Sequence, residues 1–148
     1  MRIIGLDLGS KRIGVALSNS DLTVATPYDV IQRADKVEKD HTAILNIAGE
    51  WEVNKIIVGL PISLDGTLGA SAKSVTKEIE KLKGVTDIPI ETYDERFTTV
   101  TAEQILLRQN VKRDKKKSVV DKVAAAIILQ GWIDSFNNTK DVRSGTIT

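Results

Sequence analysis

The sequence predicts an α/β domain built on a mixed five-stranded sheet, three strands antiparallel plus two parallel, flanked by helices. Three observations predict it. Two short apolar runs, Ile3 to Asp7 and Ile13 to Ser18, flank a tight glycine-containing turn, as in a hairpin. Two further strand-like runs alternate with stretches whose apolar residues recur at helical spacing, the pattern of strand–helix crossovers. The length, 148 residues, suits one domain with a real core and leaves little room for a second.

The elements follow in order. After the hairpin, Thr26 to Ile31 supplies a third antiparallel strand, with Pro27 tolerable at an edge. Asp35 is read as opening a helix, with Glu38 at the capping-box spacing. Val37, His41, Ile44, Ala48 and Trp51 form its apolar stripe, so His41 and Trp51 are expected in the core. Lys55 to Gly59 is too short and too β-branched for a helix and reads as a buried strand. Leu60 to Leu68 is a loop built on Pro61, Asp65 and Gly66, and Ala72, Val75, Ile79 and Leu82 mark the next helix, ending near Gly84. Ile88 to Tyr93 is the fifth strand, stopping at Asp94-Glu95-Arg96; Thr98 or Thr99 then caps a helix to about Arg108. The cluster Lys112-Arg113-Asp114-Lys115-Lys116-Lys117 reads as a loop, and Ser118 as the start of a helix, apolar nearly all round, through Trp132. Trp132 is expected in the core. Residues 1–136 are expected to form the single domain and 137–148 a polar, flexible tail.

Composition narrows the chemistry. With no Cys there is no thiolate nucleophile, thiolate metal site or disulfide framework. No signal-peptide pattern opens the chain and no apolar run could span a bilayer, so a cytoplasmic protein without membrane attachment is expected. A net charge of +1 offers no global field for a polyanion, so any such binding must come from local clusters such as 112–117. Aromatic content of 4% argues against base-stacking readout.

The acidic residues are placed suggestively. Sites in strand–helix folds form at the carboxyl ends of parallel strands. Asp7 ends the first strand, Gly59-Leu60-Pro61 follows the fourth, and Asp94-Glu95-Arg96 ends the fifth. Asp121, read as a first-turn residue of an otherwise apolar helix, can reach the same rim; Ser118 to Asp121 also fits a capping box. Asp7 alone could equally be a turn-initiating Asp. Gly9 and Gly14 serve the turn and close backbone approach. Three carboxylates without His or Cys form an all-oxygen set of the kind that selects Mg²⁺ or Mn²⁺. Two such ions, roughly 3.5–4 Å apart, suit in-line attack on a phosphodiester.

Four segments carry a family resemblance: Asp7 to Ala16 (DLGSKRIGVA), Val58 to Pro61 with Asp65-Gly66, Asp94 to Thr99 (DERFTT), and Asp121 to Ala125 (DKVAA). In this order they resemble the YqgF family, over nearly the whole chain to about Trp132. Stretch 67–73 departs from the family's more polar, Arg-containing pattern. The resemblance implies an RNase H-like fold and a nuclease using Mg²⁺ or Mn²⁺, with two ions expected. The family is described both as Holliday-junction resolvases and as nucleases maturing the 5′ end of pre-16S rRNA. Carried over by position, the catalytic and metal-binding residues are Asp7, Glu95 and Asp121, with Asp94 an alternative to Glu95. Arg12, Arg96, Lys115, Lys116 and Lys117 are expected to bind substrate phosphates, Arg96 equally suiting a pair with a nearby carboxylate. The implied partner is nucleic acid, pre-rRNA or branched DNA. The protein would be a monomer or, for a resolvase cutting two strands, a homodimer.

Two other classes compete. The 5–10 segment also resembles the first phosphate hairpin of sugar kinases and actin-like ATPases, but that machinery closes two domains over ATP and this chain has room for one. A non-catalytic RNA or ribosome-assembly binder would keep the fold, although three retained acids would then be gratuitous.

Overall fold

The computed structural model describes residues 1–62, 66–97 and 113–145. The elements are β1 (Ile3–Leu8), β2 (Arg12–Ser18), β3 (Ala25–Gln32), α1 (Val37–Glu50), β4 (Lys55–Leu60), α2 (Ala70–Lys83), β5 (Ile90–Asp94), a 3-10 turn (Glu95–Phe97) and α3 (Arg113–Gly145). The sheet order is β3-β2-β1-β4-β5. β1–β2 and β2–β3 pair antiparallel, β1–β4 and β4–β5 parallel, as the sequence predicts. Pro27 sits on the edge strand β3, where the β2–β3 register shifts and a missing N–H costs no interior ladder bond.

Alternation along β1 divides the core between the two sheet faces. Ile4, Leu6 and Leu8 pack with Ile44 and Ala48 of α1 and Val75, Ile79 and Leu82 of α2. Ile3 faces the other way, with Ile57 of β4 and Ala125, Ile128, Leu129 and Ile133 of α3. Each fully buried Ile or Leu contributes about 1.5–3 kcal/mol, while neither α1 nor α2 has a side-chain N-cap bond. These two clusters, rather than caps, hold the helices to the sheet.

Several expectations are corrected. Asp35 does not cap α1; Lys36 stands at the N-cap, and Asp35 instead pairs with Lys39 at 2.9 Å. Asp40 does the terminal work, its Oδ1 accepting the Ala34 N–H at 2.8 Å. Trp51 lies just past the end of α1, where the apolar stripe no longer faces the sheet; it is 36% exposed, edge-on to Tyr28 and beneath the Arg2 guanidinium. Trp132 is buried as expected, its Nε1 donating to Glu91 Oε2 at 2.9 Å. The fifth strand begins at Ile90 rather than Ile88.

The lysine cluster read as a loop is helical from Arg113 onward, and α3 continues through Gly145, past the start of the expected tail. Lys and Arg are good helix formers, and no Gly or Pro interrupts 113–130. Ser118 is therefore not an N-cap, and Asp121 lies roughly two turns inside the helix. Asp65, the Thr98 or Thr99 cap, the helix to Arg108 and Lys112 lie outside the described residues, as do the side chains of Lys115, Lys116 and Lys117.

Candidate active site

Asp7 lies near the end of β1, flanked in the sheet by two glycines. Gly14 of β2 is its direct partner, and Gly59 of β4 follows the paired Leu6 and Val58. Both absent side chains are used. A β-carbon on Gly14 would collide with the backbone carbonyl of Asp121, and one on Gly59 with the Ile128 side chain. A β-carbon on Gly59 would also lie 3.3 Å from the Glu95 carboxyl carbon. Glycine is required here for close approach, not for turning. It brings α3 and the turn after β5 against the strand end that carries Asp7.

The consequence is electrostatic. Burial, then repulsion from Glu95 and Asp121, pushes the Asp7 carboxyl up to about 7. Glu95 is raised too, by burial first and by Asp94 second. Asp94 is held by Arg96, Nη2 to Oδ2 at 2.6 Å, a bond that lowers its pKa. Arg96 is thus paired with Asp94, while Glu95 lines the cleft. Arg12 of β2 donates from Nε to Asp121 Oδ2 at 2.7 Å. The sequence expectation placed Arg12 on substrate phosphate; here it faces the third carboxylate.

Asp7 and Glu95 open into a cleft of about 780 Å³, lined also by Gly9, Ser10, Pro61, Ser71 and Ser74. Its wall includes a network that sequence reasoning missed. Arg33, just past β3, donates from Nε and Nη2 to the Gly9 carbonyl at 3.0 and 2.8 Å. The same guanidinium forks onto Glu78 at 2.7 and 2.8 Å and reaches Asp40 at 3.2 Å. His41 Nε2 lies 2.9 Å from Glu78 Oε2. Burial alone would raise Glu78, but the bonds from Arg33 and His41 outweigh it and hold its pKa below the usual range. His41 is buried as expected, yet as a polar partner. The available signal was charge on apolar stripes: Asp40 and His41 beside Ile44, and Glu78 between Val75, Ile79 and Leu82.

Among the described residues no group of three or more His, Asp or Glu side chains is already drawn together closely enough to hold a metal ion. The donor chemistry nevertheless fits a hard divalent cation: Asp7, Glu95 and Asp121 offer only oxygen, and the repulsion that Glu95 and Asp121 exert on Asp7 is what such a cation relieves.

The chain matches the family described as "RuvX: Holliday junction resolvase" over residues 1–135. A Desulforamulus reducens protein described as "Putative pre-16S rRNA nuclease" is 48% identical over 91% of this chain and 98% of its own length. One from Thermoanaerobacter pseudethanolicus, with the same description, is 45% identical over 93% and 99%. Among solved structures, Thermus thermophilus RuvC in complex with a Holliday junction substrate superposes with a TM-score of 0.59 at 13% identity, covering 94% of this chain and 98% of RuvC. That likeness carries the fold, which is RNase H-like. With the profile spanning most of the chain and relatives near half identical over their full length, the chain belongs to the RuvX family, the one that its four sequence segments resemble.

Proposed function

We propose that this protein is a divalent-cation-dependent endonuclease acting on structured nucleic acid, with the 5′ end of precursor 16S rRNA as its substrate. One observation carries the reading. Asp7 and Glu95 line one open cleft, and Gly14, the direct sheet partner of Asp7, holds the Asp121 backbone against the same strand end. The names borne by the relatives support the rRNA substrate, and the family description keeps branched DNA as the alternative.

Asp7, Glu95 and Asp121 would hold Mg²⁺ or Mn²⁺, in a two-ion arrangement. When bound, such ions polarise the attacking water and the leaving oxygen. The rest belongs to the chain. Arg33 fixes the Gly9 turn and with it the strand end bearing Asp7. Arg12 orients the Asp121 carboxylate and, with Arg96 and Lys115, Lys116 and Lys117, neutralises phosphates of the bound strand. Gly14 and Gly59 keep the three acids within reach of one scissile phosphate.

The test is cleavage of a precursor 16S rRNA fragment and of a synthetic four-way DNA junction, by wild type and by Asp7→Asn. The expected result is Mg²⁺- or Mn²⁺-dependent trimming of the RNA that Asp7→Asn abolishes. Junction cutting alone would move the substrate to branched DNA, and undiminished cleavage by Asp7→Asn would remove Asp7 from the chemistry.

A further inference from the structure

The acidic cleft does not end at Glu78. A second hollow of about 260 Å³ shares Ser74 and Glu78 with it and is lined by Val37, Lys77 and Lys81. A third, of about 520 Å³, shares Val37 and Lys81 with the second and runs between α1 and α2. The shared walls make one groove, leading from the carboxylates along the outer face of α2.

Its charge changes sign along the way. The mouth holds Asp7 and Glu95. Further along, Glu78 is committed to Arg33 and His41, leaving Lys77 and Lys81 to set the field, with Glu38 alone opposing them in the third hollow. Neither lysine makes an ion pair among the described residues, whereas Lys83 on the same helix lies 3.7 Å from Glu80. Lys77 and Lys81 stand one turn apart, an advance of about 6 Å, comparable to the step between neighbouring phosphates of an extended strand.

We propose that this groove seats the single strand flanking the scissile phosphate, with Lys77 and Lys81 each facing one backbone phosphate. The proposal deepens the nuclease reading and rests on it for the polarity of the groove. Such contacts position a strand and carry no sequence information, in keeping with the scarcity of aromatics. They act equally on RNA and DNA.

The experiment is fluorescence anisotropy with labelled single strands of about 4 and about 16 nucleotides, in RNA and DNA series with Ca²⁺ present, across a salt titration. Wild type is expected to bind the longer strand about tenfold or more tightly, and Lys77→Gln/Lys81→Gln to lose that gain. The slope of log Kd against log salt should fall by about 1.4, since each phosphate contact on a single strand contributes about 0.7. Lys83→Gln should behave as wild type. Because both lysines are exposed, circular dichroism should show an unchanged fold. A double variant that keeps the length dependence and the slope overturns the groove, as does a loss seen on blunt duplex alone. If no substrate is cleaved yet the double variant loses the length dependence, the nuclease reading fails and the groove stands; cleavage with unaltered binding fails the groove alone.

Discussion

Arg12 donates to Asp121 across 109 residues of sequence, with both side chains about a quarter exposed. The pair has two effects that pull apart. It draws the third carboxylate of the site toward β2, and it sets a cation beside the position that a scissile phosphate would take. Arg12→Ala should therefore tighten Mn²⁺ binding several-fold, on the order of 1 kcal/mol for a partly exposed pair, while raising KM for nucleic acid. Isothermal titration with Mn²⁺ and steady-state cleavage measure the two separately. Weaker metal binding in the variant would mean that Arg12 prepares Asp121 rather than competing for it.

Asp7 should make the metal-free protein less stable as pH rises. Its folded pKa, about 7, lies above the ordinary 3.8, so between these values the native state keeps a proton that the unfolded chain has lost. Stability then falls with pH through that window and stays lower above it. At about 1.4 kcal/mol per unit, the effect is on the order of a few kcal/mol. Asp7→Asn should melt higher than wild type at pH 8 without metal, and the gap should shrink toward pH 4. Comparison of the two proteins isolates Asp7 from Glu78 and Glu91, whose lowered values act in the opposite sense. A variant melting at or below wild type at pH 8 would contradict the cost assigned to this charge.

Divalent cations should reverse that order. Mn²⁺ should raise the melting temperature of wild type, by the linkage that stabilises any state binding a ligand, and leave Asp7→Asn and Asp121→Asn nearly unmoved. Scanning calorimetry with and without EDTA checks this. Equal stabilisation of all three would place the ion elsewhere.

Gly14→Ala should harm the site without touching a carboxylate. Its new methyl meets the Asp121 carbonyl, a backbone atom that can move only with α3. Overpacking of this kind costs about 1–3 kcal/mol, and the displacement carries Asp121 away from Asp7. Chemical denaturation should show the loss, and kcat should fall more than KM rises.

Arg33→Met should be the costliest of these changes. Among the described residues its side chain donates to the Gly9 carbonyl, Asp40 and Glu78. Removing it leaves two largely buried acids uncompensated, a loss of about 3–5 kcal/mol. The lost stability should be greatest near neutral pH and shrink as pH falls from about 4.5 through the lowered folded value of Glu78, below which its charge no longer contributes. Urea melts at pH 7 and pH 4 measure it.

The sheet was legible because its strands are short, β-branched and punctuated by glycine, as in Lys55 to Gly59. That Asp7, Glu95 and Asp121 lie near one another was legible because Asp7 and Asp121 interrupt apolar runs and the family resemblance singles out Glu95 by position. What sequence could not show was which cations answer which acids. Arg33 reaches Gly9, Asp40 and Glu78 only once β3, α1 and α2 have packed, and no spacing along the chain encodes that meeting. The start of α3 was misread for a different reason. A run of charge was taken as a loop signal although its residue types favour helix, and Ser118 supplied a plausible but unused cap.

The site draws Asp7 from the beginning of the chain and Asp121 from the last element described, so it is whole only when β1 and α3 have met. The β1–β2 hairpin joins strands close in sequence and can form before α3 docks, yet the proposed trio then lacks its third acid. Under the proposed mechanism, a chain with its sheet formed and α3 undocked would therefore be inactive.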